Sequence, residues 1–332
     1  MKLLLNFPSL GGHLELLDNN WGKVEELLAE YGFDGIEYMI KESQPTEDIN
    51  LPPKHMVKGV HFPFWMSWLL FWRGEWDKLS EQFGSEENAL KYFAGRTPDS
   101  MVNTYRWCAD LARQLEADYL VIHADHVYLE EAFTFRFVQQ DIDVLKAAAE
   151  FANAALNGAE TNIKVLFENS WWPGLRFNDA STTREFLGLL NHPRKGFVLD
   201  TGHLMNSNPD LTDEAEALEF IEETLEQLDD LVQDIHVVHL QKSLTGQSNL
   251  GPRLKALADF QRAATFEQKF NVAYEYALSI DKHHAFCDES VKGIIERIKP
   301  DYLTYEFIAH SKDELTEFIL SQHKCVGIEL PR

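Results

Sequence analysis

The residues with the most chemical content stand where short apolar runs end. Gly59-Val60-His61, Val121-Ile122-His123, Leu166-Phe167-Glu168, Val198-Leu199-Asp200, Val237-Val238-His239 and Thr304-Tyr305-Glu306 each finish on a histidine or a carboxylate. In Asp200-Thr201-Gly202-His203 a second histidine follows the carboxylate across a glycine turn. In Asp281-Lys282-His283 the two polar residues are two apart, so an extended backbone points both to the same side. Gathering so many carboxylates in one place is costly unless cations compensate them. The expected metal ligands are therefore His61, His123, Glu168, Asp200, His203, His239, Asp281, His283 and Glu306. Mixed oxygen and imidazole donors suit Zn2+ foremost, with Mn2+ or Fe2+ as alternatives, and the missing thiolates argue against a structural zinc site. The set is larger than a single ion needs, so two or three ions per chain are expected, some bridged by Glu168.

These donors need elements that bring them to one place. Apolar, β-rich runs at 2–7, 34–38, 57–62, 118–123, 163–168, 196–200, 234–240 and 301–307 read as strands. Amphipathic stretches at 21–31, 101–115, 141–156, 182–190, 213–228 and 311–321 read as helices, the fourth opening on Thr182 and the last on Ser311 as N-caps. Eight strands alternating with helices predict a single (β/α)8 TIM barrel domain over residues 1–332, with long connections after the third and seventh strands. In that fold the strand C-termini converge on one mouth, where active sites sit. A doubly wound open sheet is the alternative, but its glycine-rich phosphate turn has only Gly11-Gly12 to offer.

The long connections, 63–100 and 241–280, read as lids or binding loops. Trp65 in the first, with Trp171 and Trp172 just beyond Glu168, would stack against a substrate at the rim. Glu37, near the end of the second strand, could orient a metal ligand. His236 is expected outside the barrel wall, because it is an odd number of residues from His239.

Composition narrows the partners. With 54 acidic against 30 basic side chains the net charge is −24, which disfavours nucleic acid and leaves a small-molecule phosphate ester or a sugar. The three cysteines lie far apart without a CxxC, as in a protein of the reducing cytoplasm. The most apolar segment, 62–72, is too short to cross a bilayer, and the apolar run at the amino terminus is too short for a signal peptide. A cytoplasmic protein without membrane partners is expected.

The pattern His61, His123, Glu168, Asp200-Thr201-Gly202-His203, His239, Asp281-x-His283, Glu306 resembles the xylose isomerase-like TIM-barrel superfamily, and within it endonuclease IV. The resemblance runs from the first strand to the eighth, and the Asp-Thr-Gly-His turn is its most specific element. It implies a trinuclear zinc site. His61 and His123 would hold one ion, and Glu168 would bridge to a second. Asp200, His239 and Glu306 would serve the inner ions, with His203, Asp281 and His283 completing the set. Sugar isomerases and epimerases of the same superfamily imply a smaller site, in which Glu168, Asp200, His239 and Glu306 hold one ion. The foremost expectation is a multinuclear metallohydrolase of a phosphate ester, with Glu168 and Glu306 as catalytic residues. The alternative is a one-metal sugar isomerase or epimerase in which Glu168 and Glu306 exchange a proton beside a carbonyl.

Overall fold

Runs rich in Val, Ile, Leu, Phe and Tyr form eight strands, as their preference for a pleated, buried surface dictates. They are β1 (Lys2–Pro8), β2 (Gly35–Met39), β3 (Val57–His61), β4 (Tyr119–His123), β5 (Lys164–Glu168), β6 (Lys195–Asp200), β7 (Ile235–Leu240) and β8 (Tyr302–Tyr305). The computed structural model describes residues 1–156, 162–244 and 250–331. Each strand pairs in parallel with the next, and β8 returns to β1, so the sheet is a closed barrel and the open-sheet alternative falls. No helix among the described residues is long and apolar enough to cross a membrane.

The barrel is filled by Leu4, Tyr119, Val121, Leu166, Val198, Val237 and Tyr302, a buried cluster of its own. Strand side chains alternate, so the next inward positions on β4, β5, β6 and β7 are His123, Glu168, Asp200 and His239. The apolar filling thus becomes the floor under the polar mouth. Gly59 makes that filling possible, because a Cβ there would lie 2.2 Å from the Tyr119 ring. The Tyr119 hydroxyl then donates to Glu37 Oε2 at 2.6 Å.

Each expected helix is present and starts within two residues of its expected start, but Thr182 is not a cap, the last helix runs on to Val326, and Val291–Ile298 before β8 is not among those expected. The helix Ala180–Leu189 starts earlier, because the Asp179 carboxylate accepts the Ser181 and Thr182 N–H groups. Ser311 caps the last helix as expected, accepting from the Glu314 N–H. His236 also departs from expectation. The β6–β7 register shifts at Phe197/Val198, which interrupts the alternation assumed for β7. His236 is half-buried and pairs with Asp301 and Lys164 at the amino-terminal end of the barrel.

Both long connections contain helices. The first carries Trp68–Trp72, Trp76–Phe83 and Glu86–Tyr92, and the second carries Leu250–Arg262 and Phe266–Ile280. A capping box of Thr265 and Gln268 starts the last of these. A second apolar cluster, including Val127, Phe133, Trp171, Trp172, Phe260 and Tyr276, ties the second connection to the loops after β4 and β5. Trp65 is buried in the main core, where its ring lies 5.5 Å from that of Tyr105.

Gly59→Ala should destabilise the fold by about 1–3 kcal/mol, because the added methyl overpacks the Tyr119 layer. Denaturant unfolding would check this, and an unchanged midpoint would contradict the packing described.

Candidate metal centre

Barrel closure brings all nine expected ligands together: of four groups whose donor atoms lie within 4.8 Å of one another, three account for them, and the fourth joins Glu37 to His61 and His239. The first is His61, His123 and Glu168, the second Glu168, Asp200, His239 and Glu306, and the third His203, Asp281 and His283. Glu168 belongs to two of them. Its Oε2 lies 2.8 Å from His61 Nε2 and 3.4 Å from His123 Nε2. Its Oε1 lies 2.9 Å from His239 Nδ1, which is also 3.1 Å from Glu306 Oε2. In the third group Asp281 Oδ2 faces His283 Nε2 at 2.8 Å and His203 Nε2 at 3.3 Å.

The outer nitrogens of four of these five rings are anchored in a way that suits metal ligands, whereas His123 Nδ1 is buried with no hydrogen-bond partner. His61 Nδ1 donates to the Phe62 carbonyl, His203 Nδ1 to the Asn169 carbonyl and His283 Nδ1 to the Glu306 carbonyl. His239 Nε2 lies 2.9 Å from Glu37, which gives that carboxylate the orienting place expected of it. A proton held on the outer nitrogen leaves the inner one free to ligate. Asp200 is held by the His203 N–H and by Gln241 Nε2 through Oδ1, whereas its Oδ2 is buried with no hydrogen-bond partner. A buried carboxylate oxygen without a donor fits a cation-binding position.

Sequence reasoning missed the residues that hold the ligands from behind. Gln241 Nε2 donates to Asp200 Oδ1 at 3.0 Å and to Asp281 Oδ1 at 3.2 Å, joining two of the groups. Ser243 Oγ lies 3.1 Å from Asp281 Oδ1 and accepts the Lys282 N–H. The signal was present, since Gln241 and Ser243 continue the two-residue spacing from His239. Gly202 lets Gln241 approach, because a Cβ there would lie 2.0 Å from its Oε1. The same spacing from His123 leads to Asp125, buried with both oxygens unpartnered and 3.8 Å from His123 Nδ1.

Above the donors is a cavity of about 390 Å³, lined by His61, His123, His203, Asp281, His283 and Glu306 on its polar side. Trp171 and Trp172 line it as expected, whereas Trp65 does not reach it, because it packs under the connection. Among the described residues Lys41 is the one lysine or arginine in the lining.

The family described as xylose isomerase-like TIM barrel matches residues 25–262. The chain belongs to that family. Its barrel superposes on endonuclease IV from Thermus thermophilus with a TM-score of 0.51, at 16% identity and covering 99% of this chain and 100% of that one. The apo 3-keto-D-glucoside 4-epimerase of E. coli superposes with a TM-score of 0.47, at 13% identity and covering 98% of each chain. D-psicose 3-epimerase from Clostridium cellulolyticum H10 gives 0.47 at 12% identity, covering 98% of this chain and 97% of that one. Among curated protein sequences the chain has no significant match.

In this xylose isomerase-like barrel, protons on the imidazoles balance the acidic groups when no ion is bound. Burial opposes charge on His239, but Glu37, Glu306 and Glu168 together raise its pKa well above the usual value. Burial is likewise outweighed at His203 by Asp200 and Asp281, and at His61 by Glu168. His283 is raised to about 9, against its burial, by Asp281, Glu306 and Asp200. Burial also opposes ionisation of Glu168, yet His123 and His239 hold it well below the ordinary carboxylate range. Asp200 goes the other way, raised by burial and by Glu306, Glu168 and Asp281 against the pull of His203.

Divalent ions must displace these imidazole protons, so affinity should rise as pH increases from about 6 to 9. Zn2+ titrations by calorimetry in buffers of different ionisation enthalpy should show release of about one proton or more per chain at neutral pH. Zinc binding with no proton release would place the ion elsewhere. Gly202→Ala, by displacing Gln241 from Asp200 and Asp281, should weaken zinc binding about tenfold or more in the same titration.

Proposed function

We propose that this barrel is a multinuclear metallohydrolase that acts on a small-molecule phosphate ester. The carrying observation is the division of Glu168, whose two oxygens face different donor groups. A bridging carboxylate needs that arrangement, and a single-ion site does not. His61 with His123, and His203 with Asp281 and His283, then have a use that the four-residue group alone would not give them.

Bound divalent ions supply Lewis acidity toward a phosphoryl group and its attacking water. The chain's own residues do the rest. Glu168 and Glu306, both beside His239 Nδ1, accept hydrogens from a water and so orient it. Gln241 and Ser243 keep the third group in register with the second. Lys41 at the cavity rim offers a positive charge to the ester's anionic oxygens. The net charge of −24 and the cavity volume of about 390 Å³ favour a small ester over a nucleic acid.

One observation favours a second reading. Glu168, Asp200, His239 and Glu306 by themselves suffice for one ion, and the two glutamates flank it as a proton-exchanging pair would in a sugar isomerase or epimerase. Elemental analysis of protein purified without chelator separates the two readings. Two or three equivalents of zinc, manganese or iron per chain are expected for the hydrolase. Glu168→Gln should lower the hydrolysis of p-nitrophenyl phosphate esters about a hundredfold or more. The pair His61→Ala with His123→Ala should remove hydrolysis as well. One equivalent of metal, with sugar isomerisation surviving that pair, would replace this proposal with the isomerase.

A further inference from the structure

We infer that the substrate carries an apolar, planar group, and that the helix Phe266–Ile280 selects for it. The inference rests on the reading above, in which the polar end of the substrate meets the metal donors. Phe270, Tyr274 and Leu278 recur every four residues on this helix, and all three line the cavity. The Phe270 and Tyr274 rings are nearly parallel, 7° apart with centroids at 6.1 Å. Tyr274 and Leu278 are 47% and 43% exposed. Single exposed apolar residues are ordinary, but a strip of them lining one cavity with charged donors is not.

The strip is held rigidly toward the site. Ala273, Tyr276 and Ile280 of the same helix are buried in the apolar cluster over the barrel mouth. That leaves Tyr274 and Leu278 as the apolar positions not consumed by packing. Asp281 is the C-cap of this helix, so the strip and the central carboxylate of the third donor group are placed by one element. Across the cavity Phe64 stacks on Trp172, with centroids 5.7 Å apart and planes at 25°. Phe64 also lies 5.4 Å from the His123 ring, which carries the apolar lining up to the first donor group. A volume of about 390 Å³ suits a small molecule, of which one end reaches the donors and the other lies between aromatic walls.

The test compares phenylphosphonate with methylphosphonate by calorimetry, on protein whose metal content has been measured. Phenylphosphonate should bind about tenfold more tightly or better, as burial of a ring against apolar surface requires. Tyr274→Glu with Leu278→Glu, both at exposed positions, should bring the ratio near one with metal content unchanged. Leu278→Gln alone should lower it part of the way. On protein shown to contain metal, a ratio near one without substitutions, no binding of phenylphosphonate, or a ratio insensitive to these changes would overturn the inference. N-phenyl-1-naphthylamine, an uncharged fluorophore, reads the strip without the metal. Its emission should rise on the unaltered protein and not on the double variant, and no rise would overturn the inference. Absence of metal with this rise retained would instead sink the hydrolase reading and leave the apolar subsite standing.

Discussion

A carboxylate at the centre of the barrel mouth, Glu168, is fully buried and held ionised by imidazoles on both sides. Burying such a charge without partners would be prohibitive, so much of the surrounding structure follows from it. His61 and His123 meet one of its oxygens and His239 the other. Each of these rings raises a further demand for an acceptor or a positioning group. His61 is satisfied by a backbone carbonyl and His239 by Glu37, which is itself fixed by Tyr119 from within the barrel filling. The polar mouth and the apolar floor are therefore linked through Tyr119, and Gly59 supplies the space that link needs.

The outer donor group obeys a different constraint. His203 comes from a short helix, Thr201–Asn206, that follows β6 directly in place of the expected glycine turn, whereas Asp281 and His283 follow a helix in the long connection after β7. Nothing in the barrel ladder sets their separation. Gln241 does so, bonding Asp200 and Asp281 at once, with Ser243 holding the Asp281 loop by its backbone. A buried polar network of this kind is valuable only when each member is satisfied, and Gly202 is needed for Gln241 to reach its place.

The same long connection makes the mouth partly apolar. Its helices pack with Trp171 and Trp172 into a cluster distinct from the barrel core. The cavity therefore joins two chemistries, charged donors below and aromatic walls beside them. Burial lowers the effective dielectric around these carboxylates and imidazoles, which strengthens their electrostatic pull on a cation.

The fold and the convergence of the nine candidate ligands on one mouth were legible in the sequence for a physical reason. Alternation along a strand is local, so an apolar run that ends on His123, Glu168, Asp200 or His239 already says which face that residue takes. Eight such runs separated by helices leave few ways to close a sheet. Gln241, Ser243 and Asp125 could have been found by following the same spacing beyond the strand ends. What only the tertiary structure decided is how the donors divide into groups, because distances between different strands depend on barrel closure and stagger. It also decided that Trp65 is core while Trp172 lines the cavity, and that His236 turns to the barrel's far end at a register shift. Those outcomes depend on packing between segments far apart in the chain, which local spacing does not encode.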